Sequence, residues 1–242
     1  MITFIVPSIG RPTLAETVQS INTQTNPQWK AIIVFDGVKP TTDIIPSSPK
    51  IQILEIAKQG QGKNSAGNVR NEGMRNVNTD WIAFVDDDDV ISSDFVDTFQ
   101  REIIDHPYVD VLIFRMYQHK QRIILPKLNT HKLIRDQVGI SFVIRTNIFK
   151  SGFKFIPSSR EDFNYLDTLR NNGFKLMISP YVRYFVDGGV NANAHDKVGN
   201  RVFVGCYPNY SGRARTLMSV RVPAVLLFVI SFTTFMVLLI LA

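Results

Sequence analysis

An apolar run, Trp81-Ile82-Ala83-Phe84-Val85, leads directly into four consecutive carboxylates, Asp86 to Asp89. The run has the length and the aromatic and β-branched content of a buried strand. Four adjacent acids repel one another, and the mouth of a buried strand tolerates them most easily when a cation sits there. Carboxylate oxygens suit hard divalent ions, Mg²⁺ or Mn²⁺. Such an ion usually takes only one or two protein carboxylates and completes its shell with substrate phosphates. The feature therefore points to metal-assisted chemistry on a phosphorylated substrate. The competing reading is a solvated acidic turn leading into a helix near residues 93–105.

The 242 residues suit one sizeable domain with an appendage, and 45% hydrophobic with 20% charged residues is an ordinary globular balance. Ile2 to Val6 is too short for a signal peptide and is cut off by Pro7. The single cysteine, Cys206, forms no internal disulfide and fits a reducing compartment.

The last stretch differs from the rest. Residues 222–242, VPAVLLFVISFTTFMVLLILA, hold no charge. As a helix they would reach roughly 31 Å, close to a bilayer's hydrocarbon thickness. Pro223 falls in the first turn, where proline is tolerated. After Asp196 there are no acids, but there are Lys197, Arg201, Arg213, Arg215 and Arg221. These account for most of the net charge of +6. The pattern predicts a domain over 1–212, a basic juxtamembrane segment over 213–221 and a transmembrane helix over 222–242. By the positive-inside tendency this single-pass, C-terminally anchored protein keeps its domain in the cytoplasm. No basic stripe with interleaved aromatics is visible in the domain, which argues against nucleic acid as a partner.

The first half alternates strands and helices, the pattern of an α/β domain with a mainly parallel central sheet. Strands are expected at 3–6, 31–35, 51–56 and 81–85, and helices at 12–22 and 65–76. A Pro/Ser/Thr-rich loop covers 40–49 and a Gly-containing loop 59–63. The second half is more mixed. It has expected strands at 109–118, 121–125, 140–145, 176–178 and 182–186, and a helix at 161–171 closed by Gly173. Pro7-Ser8, Asp36-Gly37 and Asp86 to Asp89 all fall at carboxyl ends of strands, where open α/β sheets bind ligands.

Together these residues resemble the family 2 glycosyltransferases of the GT-A fold, over roughly residues 2–186. TFIVPSIGRP is similar to the family's opening strand and turn. SINTQTNPQWKAIIVFDG resembles the next helix, strand and nucleotide-contacting Asp. AGNVRNEGMRNVNTDWIAFVDDDD resembles the helix, strand and metal-binding acids, with Arg70-Asn71 and Gly73 at the usual spacing. REDFNYLDTLRNNGFKLMISP resembles the Glu-Asp segment and its helix.

The resemblance implies roles. Pro7, Asp36, Arg70 and Asp86 would bind the donor, with Asp36 facing the uracil or ribose of a sugar nucleotide. Arg70 has a second reading, as partner of the acid cluster, and a third, as a plain surface arginine. Asp88 would hold the metal, Mn²⁺ or Mg²⁺, with Asp86 beside it and His195 as a further ligand. Asp87 and Asp89 would stand behind the metal ligands or cap a helix. Asp162 would be the catalytic base and Glu161 would orient it or bind the acceptor. Lys63 is a weaker phosphate candidate, since GQGK lacks P-loop spacing.

Two departures stand out. Gly10 occupies a position where the family commonly has asparagine, and the processive Gln-x-x-Arg-Trp motif is absent. One span is also too few for a polymer channel. The implied function is an inverting, metal-dependent, non-processive transfer from a nucleotide-diphosphate sugar, a UDP-sugar favoured, to an acceptor hydroxyl. The acceptor would be a glycan, glycolipid or protein at the cytoplasmic face of a membrane. The rivals are a sugar-phosphate nucleotidyltransferase, for which SIGRP is a poor triphosphate loop, and an inactive membrane-tethered sugar-nucleotide or glycan-binding module.

Overall fold

The computed structural model describes residues 1–60 and 66–187. The predicted metal ligand His195, the candidate Lys63, the basic segment 213–221 and the span 222–242 lie outside the described residues. Among the described residues no helix is long and apolar enough to cross a membrane.

The strands are β1 (Ile2–Ser8), β2 (Trp29–Asp36), β3 (Ile51–Ile56), β4 (Trp81–Phe84), β5 (Val90–Ile91), β6 (Val111–Gln118), β7 (Ile123–Leu125), β8 (Phe142–Arg145) and β9 (Leu176–Val186). The helices are α1 (Leu14–Asn22), α2 (Ala66–Met74), α3 (Phe95–Asp105), α4 (Thr146–Lys150) and α5 (Glu161–Asn171). The strands form one sheet in the order β3-β2-β1-β4-β8-β6-β9-β5, with β7 on β6.

The expected mainly parallel sheet is a mixed one. β3, β2, β1 and β4 are mutually parallel. β8 then runs antiparallel to both β4 and β6, and β5 antiparallel to β9. Crossover helices explain the first set: α1 joins β1 to β2, and α2 joins β3 to β4. β1 is buried along its whole length and β2 along nearly all of its own, which is why both read as unbroken apolar runs.

The two short strands expected at 176–178 and 182–186 are one strand, β9. Pro180 lies between the two expected segments. It sits where the β6–β9 register shifts, between the Ile113–Ile178 and Arg115–Val182 pairs, so its missing N–H costs no regular ladder bond. Gly173 has positive φ and closes α5, as expected. The two-residue β5 and the one-turn α4 carry too little periodicity to be read from sequence.

Helix α2 lies very close to the sheet. A Cβ on Gly73 would come within 2.7 Å of Ile5 Cγ2 and 3.0 Å of Val34 Cγ2. That close approach carries the opposite, polar end of α2 to the carboxyl end of β4. Beneath it, Phe84 packs edge-on against Phe142 and Phe155, while Phe155 stacks on Tyr165 at 4.3 Å. Each fully buried aromatic of this kind contributes about 1.5–3 kcal/mol. The cluster fixes β4, β8 and α5 relative to one another.

Candidate active site

The four acids do not continue β4, which ends at Phe84. They form a turn, closed by Asp89 N–H donating to Asp86 O at 3.1 Å, between β4 and the short β5. Burial alternates along the turn. Asp87 and Asp89 are buried, whereas Asp86 and Asp88 are partly open.

The buried pair hold the turn. Asp87 accepts from the Ser8 hydroxyl at 2.8 Å, Ile9 N–H at 3.2 Å and Arg11 at 3.1 Å. Asp89 accepts from the Tyr184 hydroxyl at 2.7 Å and Asp187 N–H at 2.8 Å. Tyr184 in turn accepts from Asp86 N–H at 3.2 Å. Burial pushes both Asp89 and Tyr184 well above their ordinary ranges, and Asp86 adds to each. Neither Asp87 nor Asp89 caps a helix; the N-caps of the neighbouring helices are Thr13 and Asp94.

Two guanidinium groups balance the open pair. Arg11 donates to Asp88 at 2.6 Å, and Arg70 to Asp86 at 2.5 Å. Burial raises Asp88 above the usual carboxylate range; Arg11 opposes this, and Asp86 and Asp87 reinforce it. Arg11 was not singled out from sequence. Its only signal was its place in the opening turn, 77 residues from its partner.

A cleft of about 460 Å³ opens above this turn, lined by Pro7, Arg11, Asp36, Lys58, Asp86 and Asp88 among others. The predicted donor residues Pro7, Asp36 and Asp86 thus converge on it with the metal candidate Asp88. Asp36 is buried and already engaged: it accepts from Lys58 Nζ at 2.7 Å and Gln59 N–H at 2.5 Å. The turn after it uses Gly37 at positive φ, where a Cβ would meet Lys58 Cβ at 2.7 Å.

A second cleft of about 320 Å³ is lined by Arg70, Asp136, Val138, Arg160, Glu161 and Asp162, among others. Ala66 and Asp86 line both clefts and form the wall between them. Arg70, read in one alternative as a surface residue, is fully buried at this junction. It reaches Asp86, Glu161 at 2.6 Å and Asp162 at 3.6 Å, with its guanidinium 5.5 Å from the Phe155 ring. These attractions outweigh desolvation and keep it charged.

Its neighbour Asn71 makes a reciprocal pair with Phe155, donating to its carbonyl at 2.9 Å and accepting its N–H at 3.0 Å. Adjacent residues on α2 therefore tie both the acid turn and the segment before α5. Gly67 completes the junction: a Cβ there would lie 2.5 Å from Glu161 Oε2 and 2.8 Å from Phe155 Cβ.

Glu161 and Asp162 occupy the first turn of α5. Asp162 Oδ1 is buried without a hydrogen-bond partner among the described residues. Burial pushes Asp162 up to about 7, against the opposing pull of Arg70 and with help from Asp86 and Glu161. Burial also raises Glu161, again opposed by Arg70. A carboxyl group poised near neutrality beside a cleft is suited to proton abstraction.

Among the described residues no group of three or more His, Cys, Asp or Glu side chains is arranged to hold a metal. Asp86 and Asp88 offer hard oxygens to the first cleft. Two carboxylates completed by phosphate oxygens are a donor set that Mg²⁺ or Mn²⁺ accepts, so these residues fit such an ion.

Residues 3–166 match the family described as Glycosyl transferase family 2. The chain belongs to this family. Over 124 residues, 50% of this chain, it is 30% identical to "Glycosyltransferase GlyA" of Streptococcus pneumoniae, a stretch that covers 17% of GlyA. The fold is shared with TarS of S. aureus, with a TM-score of 0.63 at 18% identity over 76% of this chain and 36% of TarS. A TarS 1–349 structure in complex with UDP-GlcNAc matches with a TM-score of 0.62 at 17% identity, over 76% of this chain and 58% of that one. The chain thus spans a fraction of the length of the relatives it matches. The family 2 match ends at residue 166 and so includes the acid turn, Arg70 and the Glu161-Asp162 pair.

Proposed function

We propose that this family 2 chain is an inverting, metal-dependent, non-processive glycosyltransferase. It moves a sugar from a nucleotide-diphosphate sugar to an acceptor hydroxyl. The observation that carries this reading is the junction at Arg70. One buried guanidinium ties the acid turn of one cleft to the carboxyl pair of the next, with Asp86 in the wall between. The first cleft is read as the donor side and the second as the acceptor side.

Asp162 accepts the proton of the acceptor hydroxyl as that oxygen bonds to the sugar's anomeric carbon. The carbon–oxygen bond to the diphosphate breaks, and the nucleoside diphosphate leaves with the electron pair. Attack from the face opposite the leaving group inverts the anomeric centre. A divalent ion held by Asp88 and Asp86 would supply positive charge for the departing diphosphate. Arg70 keeps Asp86 and Glu161 in place, and Glu161 orients the base or meets the acceptor.

The TarS complex with UDP-GlcNAc favours a UDP-sugar as donor. The uncharged C-terminal stretch and its basic flank favour a single-pass anchor with the domain on the cytoplasmic face.

The test is nucleoside-diphosphate release by the full chain from a panel of nucleotide sugars, with Mn²⁺, with Mg²⁺ and with chelator. Metal-dependent release from one donor, lost in Asp88→Ala and Asp162→Asn, is expected. Donor binding without release under every condition would replace this reading with a binding module.

A further inference from the structure

The near-neutral balance of the domain conceals a partition. Residues 1–110 carry 15 acids and 9 bases, whereas residues 111–160 carry 10 bases and a single acid, Asp136. Two segments of the second region, 127–135 with three of these bases and 154–157 with Lys154, run directly into the wall of the Glu161–Asp162 cleft. They meet where Arg160 pairs with Asp136 at 2.9 Å on that cleft's rim.

Along these segments exposed apolar side chains alternate with exposed cations. Leu128 is 52% exposed, Ile134 40% and Ile156 74%. Lys127, Lys132, Arg135 and Lys154 are exposed beside them. Among the described residues none of these four has an acidic partner.

The segment around Leu128 is also built to be firm. Buried Arg115 donates to the carbonyls of Pro126 and Lys127, each at 2.6 Å, and to those of Leu128 at 3.3 Å and Thr130 at 3.1 Å. A guanidinium that gathers four carbonyls from inside holds the backbone inward and leaves the neighbouring side chains on the surface.

We propose that this rim docks on an anionic phospholipid surface, so that the acceptor cleft opens at the headgroups. It rests on reading that cleft as the acceptor side. Cations alone would suit any polyanion. The exposed leucine and isoleucines interleaved with them decide for lipid, because they gain by entering the headgroup–acyl boundary while lysine and arginine stay with the phosphates. The uncharged stretch 222–242 provides independent reason to expect this chain at a bilayer. The acceptor would then be a hydroxyl carried on a lipid, presented at the depth of the rim.

The experiment uses the full chain, in a Cys206→Ser background, reconstituted into phosphatidylcholine vesicles with or without phosphatidylglycerol. A polarity-sensitive fluorophore is placed through Ile134→Cys or Ile156→Cys. A control label goes on Asn78→Cys, exposed before the start of β4. Lipid-borne nitroxide is expected to quench the labels at 134 and 156 in the anionic vesicles, and high salt to relieve it. The label at 78 should not respond. Combining Lys127→Gln with Lys132→Gln should lower the docked-to-undocked ratio about five-fold for each charge removed.

Equal quenching in neutral and anionic vesicles, or none in either, overturns the proposal. So does a response to soluble polyphosphate where anionic vesicles give none, which would make the rim a polyanion site. Nucleoside-diphosphate release measured on the same vesicles separates the two readings. Docking lost with release intact removes only this inference; docking intact without release removes only the transfer reading.

Discussion

Residues 1–110 and 111–187 build one sheet, yet they differ in strand direction, in charge and in how their polar side chains are held. The first region is parallel around β1 and β2 and rich in acids, which it concentrates at a strand end. Three carboxylates that line its cleft take their cations from within the region, Asp88 from Arg11, Asp36 from Lys58 and Asp86 from Arg70. The second region brings antiparallel pairings and an excess of cations left open to solvent. A site for a diphosphate must be stable while empty, so its acids need built-in counter-charges. A surface meeting an external anion needs the reverse. Arg70 crosses between the regions by reaching Glu161, 91 residues away in sequence.

The largest effect expected is on chemistry in the second region with the first left intact. Asp162→Asn should lower kcat about 10²–10⁴-fold, the usual contribution of a positioned base. Calorimetry with the nucleoside diphosphate should find donor-side binding unchanged. A similar loss of binding would mean that the two clefts are not separate.

Breaking the link itself comes next. Arg70→Met leaves Asp86 and Glu161 buried or half-buried without their cation. Removing one member of such a pair costs about 3–5 kcal/mol. Urea unfolding should show that loss, together with a fall in activity. An unchanged midpoint would show that the two regions hold together without the arginine. Gly67→Ala should also damage activity, because its Cβ would press on Glu161 Oε2.

The pH dependence sharpens the same contrast. Asp162 titrates near 7 when folded, above the ordinary carboxylate range that applies when unfolded. Between those values the folded state binds the extra proton, so this group's contribution to stability is present at low pH and lost as pH rises through about 7. With Asp162 as the proposed base, activity should move the other way, since only a deprotonated carboxylate accepts the hydroxyl proton. The acid limb of the kcat profile should therefore lie near 7 and vanish in Asp162→Asn. A limb near 4 would assign proton transfer to an exposed carboxylate instead.

The first region was largely legible in the sequence. Its strands are unbroken apolar runs with polar clusters at their carboxyl ends, and that pattern is local. Asp36, Asp86 and Asp88 stand out because each lies beyond the end of such a run, and they line one cleft; their roles come from the resemblance. The second region was harder for physical reasons. Two short strands were expected over 176–178 and 182–186, but they are one strand that passes a register shift at Pro180. The mixed strand directions depend on which edges pair, and periodicity carries no such information. The basic rim was masked because the acids of residues 1–110 cancel it in any sum over the domain. The partnerships of Arg11 and Arg70 span 77 and 91 residues. Resemblance placed Arg70 near the donor, but only the structure shows it buried among three carboxylates.

Arg11 offers the finest test, because it asks whether a counter-charge stabilises the empty site at the expense of the occupied one. It holds Asp88, the carboxylate expected to meet the metal, and the pair is partly exposed. An incoming divalent ion must compete with that guanidinium for the same oxygens. Arg11→Ala should therefore tighten Mn²⁺ binding in the absence of nucleotide. The gain should be about two- to five-fold, the scale of an exposed ion pair. In the presence of a nucleoside diphosphate the gain should shrink or reverse, since the released guanidinium is free to meet phosphate oxygens in the same cleft. Electron paramagnetic resonance of free Mn²⁺ reads the first quantity without turnover, and titration calorimetry reads the second. Weaker Mn²⁺ binding in the variant would mean that Arg11 orders Asp88 for the ion rather than competing with it. The acid turn would then need its arginine in both states, and the contrast between the two regions would rest on the basic rim alone.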